Sequence, residues 1–182
     1  MSGGVGGAGV SPAPTRSSNG LNERRTAVRI RPARADEGER LREIAIAAKS
    51  HWGYEEEAVR SWAAQGDFSP AGLAAKIFLV AEEEGRAVGF ASLIPQGEVA
   101  VLDDLWIEPA WIGRGVGSEL FRACATQARE LGATRLEWEA EPNAAGFYER
   151  MGGRYARDSE PTAFGRVIPV MELDLEAAEP GS

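Results

Sequence analysis

Three consecutive β segments in the middle of the chain constrain its fold more than any other feature. Ile77–Ala81 is an apolar run, Ala87–Ile94 returns after the turn Glu83–Arg86, and Val99–Ile107 follows the turn Pro95–Gly97. Strands joined by turns this short pair antiparallel, as a meander. The segments therefore exclude a regular alternation of strands and helices around an all-parallel sheet.

Helices and further strands are predicted on both sides of this meander. Leu41, Ile44, Ala45 and Ala48 follow helical spacing and indicate a helix with one buried face. Before the meander, the predicted elements are a strand at Ala27–Arg31, this first helix at Asp36–Lys49 with Asp36 as its N-cap, a helix at Glu55–Ala64 ended by Gly66, and a short helical piece near Pro70–Ala75. After the meander, they are a helix ending at Leu131, a strand at Thr134–Glu139, a short helix at Pro142–Met151, and strands at Arg154–Ala156 and Val167–Leu173. This order predicts an α/β (α+β) domain with a mixed, mostly antiparallel central β-sheet flanked by helices.

Composition sets the limits of that domain. The chain has 182 residues and a net charge of −8, and twelve of its first twenty residues are Gly, Ser or Pro. We expect a disordered tail at 1–24, one folded domain at 25–175 and a short acidic tail at 176–182. An acidic body disfavours nucleic acid, and no apolar run approaches the roughly 20 residues of a membrane span.

Cysteine and histidine each occur once, as Cys124 and His51. They exclude a disulfide framework and a metal site built from several Cys or His residues, so no metal cofactor is predicted. Cys124 lies on the apolar stripe of its helix, which indicates a core residue. The lone thiol and the lack of a secretory signal favour the cytoplasm.

A glycine loop, Gly113-Arg114-Gly115-Val116-Gly117, separates the third meander strand from the next helix. Glycines allow the backbone to approach a ligand, and a helix N-terminus offers free N–H groups, so phosphate is the natural ligand. The loop is not a nucleotide P-loop, since Ser118 and Glu119 follow it instead of Lys and Ser or Thr. It also lacks the sixth-position glycine of a dinucleotide fingerprint.

Two segments carry a family resemblance. Leu105–Pro109 together with Gly113–Leu120 resembles the acyl-CoA loop of the GNAT superfamily of N-acetyltransferases, and Glu141–Gly153 resembles that superfamily's later Asn…Phe-Tyr…Gly motif. The resemblance extends from about Val28 to Leu173. One departure is Ile112, which stands where the superfamily usually has Gln or Arg.

The resemblance implies acetyl-CoA as co-substrate and direct acetyl transfer to an amine. The strand residues Leu105, Trp106 and Ile107 would pair with the pantetheine arm, and Arg114 would add charge beside the pyrophosphate. The remaining implied cofactor contacts are the backbone N–H of Ile112, the loop residues Gly113, Gly115, Val116, Gly117 and Ser118, and Asn143 and Phe147 of the second motif, with Asn143 also capping the short helix.

Catalytic roles follow from the same resemblance and from strand geometry. Tyr148 is the predicted acid next to the CoA sulfur, with a packed aromatic as its alternative. Asp104 is the predicted base, since alternation places it on the face of Trp106 and leaves Asp103 with Leu105 and Ile107. Glu108, ordered water, and a solvated acidic strand end stay open as alternatives.

The segment His51-Trp52-Gly53-Tyr54 lies in the region that covers the acceptor site in the resembled fold. His51, Trp52 and Tyr54 are therefore the predicted acceptor-binding residues. The sequence predicts an N-acetyltransferase that acts on a small-molecule or peptide primary amine. A homodimer stays open, and neither nucleic acid nor a membrane is expected as a partner. A non-catalytic acyl-CoA sensor on the same fold and an enzyme for a longer acyl donor are the alternatives.

Overall fold

A seven-stranded sheet organises the chain, whose computed structural model describes residues 27–162 and 165–177. The strands are β1 (Arg29–Pro32), β2 (Ile77–Glu83), β3 (Arg86–Gln96), β4 (Val99–Ile107), β5 (Arg135–Glu139), β6 (Arg154–Asp158) and β7 (Pro169–Asp174). They lie in the order β1-β2-β3-β4-β5-β7-β6, and of the strand pairs only β4–β5 is parallel within the described residues. The mixed, mostly antiparallel sheet is confirmed.

Five helices flank the sheet in the described part of the chain. They are α1 (Gly38–His51), α2 (Glu56–Gln65), α3 (Pro70–Ala75), α4 (Val116–Glu130) and α5 (Ala145–Arg150), with 3-10 turns at Pro109–Trp111 and Pro142–Ala144. None of them is long and apolar enough to cross a membrane. The tails predicted at 1–24 and 176–182 lie outside the described residues, apart from 176 and 177.

The predicted meander is confirmed; its first two strands are longer than expected, and its third has the predicted bounds. Glu84 (φ 48°) and Gly85 (φ 79°) make the first turn, which lets β2 continue to Glu83. β3 continues through Pro95 to Gln96, because the second turn is made at Gly97 (φ 70°) and not at the proline. Proline restricts only its own φ and removes one donor, so a strand can pass through it near an end.

Two predicted helix caps are wrong. The N-cap of α1 is Glu37, not Asp36, and the Glu37 carboxylate accepts from the Arg34 backbone N–H at 2.7 Å. The helix predicted at Pro142–Met151 is split into a 3-10 turn and α5, whose N-cap is Ala144 without a side-chain cap. Asn143 is exposed within that turn and caps neither element.

The helices pack on opposite faces of the sheet. On one face, α1 and α3 cover a cluster that includes Phe78, Val80, Phe90 and Trp106. On the other, α4 and α5 cover a larger cluster that includes Leu79, Leu93, Leu105, Ile107 and Tyr148. Removing these apolar side chains from water stabilises the fold on both faces of β3 and β4.

A β-bulge in β4 determines which of its side chains lie on each face of the sheet. Ser92 of β3 lies opposite Asp104 and Leu93 lies opposite Leu102, which leaves Asp103 as the extra residue. Leu102 and Leu105 both face the α4 side as a result. Asp104 shares the α1 side with Trp106, as predicted.

Candidate active site

β4 and β5 lie side by side only where they begin. Their parallel pairing covers Val99–Val101 and ends there, whereas Trp138 and Glu139 of β5 pair with β7. Over the described residues, β4 from Leu102 to Ile107 has β3 as its only strand neighbour. We call this separation the opening. Its β4 side offers the backbone of residues 105–107, where an extended ligand chain can add as a strand does.

The glycine loop forms an anion cradle at the start of α4. Gly113 (φ 78°) and the N-cap Gly115 (φ 85°) adopt left-handed backbone that favours glycine. A Cβ at either position would meet nothing within 4 Å. The first backbone bond of the helix is Glu119 N–H to the Gly115 carbonyl, 3.1 Å. The N–H groups of residues 116–118 thus have no helical acceptor and can bind an anion.

Beside the cradle, Ile112 has no free backbone donor for an anion, whereas Arg114 provides a positive charge. The Ile112 N–H donates to the Pro109 carbonyl at 3.3 Å, so the donor predicted for a phosphate contact is already engaged. Its side chain packs against the core cluster under α4. The Arg114 guanidinium carbon lies 4.9 Å from the Trp111 ring centroid, which holds a positive charge next to the loop.

Tyr148 of α5 is completely buried, and its hydroxyl has no hydrogen-bond partner in the described structure. Its ring packs on Phe121 (5.8 Å), Trp138 (4.9 Å) and Phe147 (5.1 Å) between centroids. Burial, and secondarily the neighbouring Cys124, raise the pKa of Tyr148 well above its usual value. A buried hydroxyl without a protein partner can bind a water or a ligand atom, and this one stays protonated at neutral pH.

Asp104 is held by two donors from the sheet. Ser92 Oγ donates to its Oδ2 at 2.6 Å, and Trp106 Nε1 donates to its Oδ1 at 3.1 Å. Burial and the Asp103 charge raise the pKa of Asp104, while Ser92, Lys76 and Trp106 act in the opposite direction. Asp104 is 8% exposed, so the alternative of a solvated strand end is wrong. A buried carboxylate of raised pKa suits a general base.

The neighbouring acids are less suited to that role. Lys76 forms an ion pair with Asp103, and its Nζ lies 3.9 Å from Asp104 Oδ2. Glu108, the alternative base, pairs with Arg86 at 2.8 Å and with Arg40 at 2.9 Å. Both carboxylate oxygens of Glu108 are thus already paired with guanidinium groups.

Glu139 is a functional candidate that the sequence analysis missed. It is the last residue of β5, beyond the point where β4 and β5 separate. Burial and the charges of Asp103 and Glu141 raise its pKa. The alternation of Arg135, Glu137 and Glu139 with Leu136 and Trp138 could have identified it. This alternation places Glu139 on the face of the sheet opposite the α4 core.

The predicted acceptor residues do not all come together. His51 is exposed at the end of α1 and packs on Trp52, 5.3 Å between ring centroids. Tyr54 instead joins Trp62 and Trp106 around the ammonium of Lys49. Lys49 was missed, although it extends the helical spacing of Leu41, Ala45 and Ala48 and is buried with them.

A carboxylate and a phenol thus lie on opposite faces of the sheet. Asp104 lies on the α1 face, and Tyr148 packs in the cluster on the α4 face. Cys124 is completely buried and its pKa is raised to about 12, which confirms it as a core residue and not a nucleophile. The arrangement suits transfer between two ligands that meet at the opening, without a covalent intermediate on cysteine.

Comparison with known proteins is consistent with this geometry. The sequence model of the acetyltransferase (GNAT) family matches residues 39–153. The peptidyl-lysine N-acetyltransferase YjaB of Salmonella typhimurium is 29% identical over 151 residues, covering 80% of this chain and 97% of that protein.

Solved structures show the same fold. A GCN5-related N-acetyltransferase from Rhodopseudomonas palustris superposes with a TM-score of 0.67 at 26% identity, covering 81% of this chain and 95% of that one. The PaiA N-acetyltransferase from Thermoplasma acidophilum, solved in complex with coenzyme A, superposes with a TM-score of 0.70 at 21% identity, covering 81% and 99%.

Proposed function

Because the chain belongs to the GNAT acetyltransferase family and is an acyltransferase, we propose that it transfers an acetyl group directly from acetyl-CoA to a primary amine. The observation that carries this proposal is the opening in the sheet, with Asp104 on one face and the unpartnered Tyr148 hydroxyl on the other. The related PaiA structure contains coenzyme A, which supports the choice of donor.

The described residues fit the parts of acetyl-CoA. The N–H groups of residues 116–118 and the Arg114 charge suit the pyrophosphate. The edge of β4 at Leu105, Trp106 and Ile107 that faces away from β3 suits the pantetheine arm, which carries amide groups. The buried phenol of Tyr148 and the ring of Phe147 suit the sulfur end. Bound acetyl-CoA supplies the activated carbonyl group.

The chain's residues move two protons in this scheme. Asp104 accepts a proton from the acceptor's ammonium, directly or through water, and the free amine attacks the carbonyl carbon. The new C–N bond forms as the C–S bond breaks, and the leaving thiolate takes the proton of the Tyr148 hydroxyl. The amide nitrogen releases its second proton to solvent, through which both side chains return to their starting states.

The acceptor is proposed to be a small-molecule or peptide amine, as the name of the Salmonella relative supports for a peptide lysine. An acyl-CoA sensor without turnover is the second candidate, and it is favoured by Asp104, whose two carboxylate oxygens already accept from Ser92 and Trp106. A cytoplasmic location, a homodimer and a longer acyl donor stay predictions of the sequence.

Thiol release from acetyl-CoA across a panel of primary amines tests the proposal. Wild type should release thiol with at least one amine, and Tyr148→Phe should lower kcat by about 100-fold while acetyl-CoA still binds. The free energy of unfolding should not fall, since the lost hydroxyl has no partner.

Tyr155→Phe is the matched control, because Tyr155 is 60% exposed on β6, and it should behave as wild type. Acetyl-CoA binding without thiol release for any amine would support the sensor instead. Full activity in Tyr148→Phe would remove Tyr148 from the mechanism.

A further inference from the structure

Lys49 carries a buried ammonium with no carboxylate at ion-pair distance among residues 27–162 and 165–177. It lies in the last turn of α1 and is 9% exposed. Among the described residues, the contacts of its Nζ are with aromatic rings and include no hydrogen bond or ion pair. Ammonium groups have three donors and are costly to bury, so a buried lysine is normally paired.

Aromatic rings surround this ammonium in place of a carboxylate. Nζ lies 4.7 Å from the centroid of Tyr54, 4.6 Å from Trp62 and 5.5 Å from Trp106. Ring faces attract a cation but leave its N–H donors without a strong acceptor. We call these three rings and Lys49 the lysine cage.

Two charged residues, Glu141 and Arg166, act on the Lys49 ammonium from outside the cage. Burial lowers the pKa of Lys49, Glu141 raises it and Arg166 lowers it. Glu141 and Arg166 also face each other, with Arg166 Nη2 at 3.5 Å from Glu141 Oε2. Glu141 is therefore shared with a second cation, so two positive charges, Lys49 and Arg166, stand against this one carboxylate.

Trp106 joins the lysine cage to the site. One indole contacts the Lys49 ammonium and also donates through Nε1 to Asp104 at 3.1 Å. The Trp106 side chain therefore links Asp104 to Lys49, so a ligand whose amine reaches Asp104 lies close to the Lys49 ammonium. A plain polyamine would bring a further positive charge beside the cage, whereas a ligand with a carboxylate would supply the missing counter-ion.

We propose that Lys49 binds the carboxylate of the acceptor, and that the acceptor is a free amino acid. This inference rests on the proposed acetyl transfer to an amine and names the class of acceptor for that site. The α-ammonium lies towards Asp104 and Glu139, and the α-carboxylate receives the N–H donors of Lys49. The acceptor thus neutralises the negative charge of Asp104 and the positive charge of Lys49, both of which contact Trp106.

Matched pairs of amines test the inference. Free amino acids are compared with their α-carboxamides, which differ in the negative charge, by thiol release and by calorimetry on the CoA-loaded protein. Wild type should favour the best free acid over its amide by about tenfold in kcat/KM. Lys49→Met should remove that preference, mainly through KM for the acceptor, and Lys49→Arg should restore part of it.

Arg60→Met is the control for charge, because Arg60 is exposed on α2 beside Glu56 and away from the lysine cage. It removes one positive charge and should keep the wild-type preference. KM for acetyl-CoA should be unchanged in all three variants. If Lys49→Met does not fold, the acid-to-amide ratio of wild type and of Lys49→Arg decides.

The outcomes separate the two proposals. Turnover in which amides match or exceed the free acids overturns the role of Lys49 and leaves the acetyltransferase standing. Absence of thiol release with every amine overturns the acetyltransferase, and calorimetry then decides whether free amino acids bind through Lys49. If no free amino acid binds or reacts, the inference is wrong.

Discussion

Asp104 shows how single contacts set the chemistry of a residue. Its carboxylate is buried next to another acid, yet Ser92 and Trp106 bind both of its oxygens. Burial favours the neutral form and hydrogen bonds favour the charged form, and the net pKa is raised. A base works only when it is deprotonated, so activity should rise with pH through this raised pKa.

Ser92→Ala should move the acid limb of the pH profile to higher pH. Ser92 Oγ stabilises the charged carboxylate at 2.6 Å, and its loss raises the pKa of Asp104 further. Thiol release measured as kcat/KM against pH checks this. Ser61→Ala, exposed on α2, is the control and should leave the profile unchanged. An acid limb that does not move, or that moves to lower pH, would contradict Asp104 as the base.

At the scale of elements, the start of α4 depends on two glycines with positive φ. Gly115 precedes the first residue of the helix, and space around both Gly113 and Gly115 is open. The spacing of glycines between a strand and a helix was enough to predict this loop, since the requirement is local. The direction of its free N–H groups follows from the helix that comes next.

Gly115→Glu should abolish acetyl-CoA binding, because its carboxylate stands where the pyrophosphate must approach. Gly115→Ala is the matched control. It brings the same left-handed strain, of about 1–2 kcal/mol, without the charge. Calorimetry should show binding in the alanine variant and none in the glutamate variant. Equal affinity in the two would place the pyrophosphate elsewhere.

For the whole molecule, a bound co-substrate should stabilise the fold. Acetyl-CoA at about 100 times its Kd adds about 2.7 kcal/mol to the free energy of unfolding. For a domain of this size that raises Tm by about 5–10 °C. A thermal-shift titration checks this, with Gly115→Glu as the variant that should not respond. A Tm that stays constant at millimolar acetyl-CoA would contradict the cradle and the opening together.

What the sequence could predict depends on the range of the interactions involved. The element order, the mixed sheet and the loop at Gly113 follow from local spacing and turns. The bulge at Asp103 and the exit of β4 from its pairing with β5 depend on partners from other strands. The lysine cage needed α1, α2 and β4 to pack together, and the ion pair between Glu37 and Arg31 joins the start of α1 to β1.

The parting of β4 from β5 leaves a β edge inside the sheet, roughly 20 Å long over six residues. Open edges invite pairing with strands of other molecules and promote aggregation. A polypeptide strand entering here would project side chains alternately to both faces, where α1 and α4 already pack against the sheet. A thin ligand chain without side chains meets no such barrier. The helices that complete the core therefore also protect this edge from misassembly.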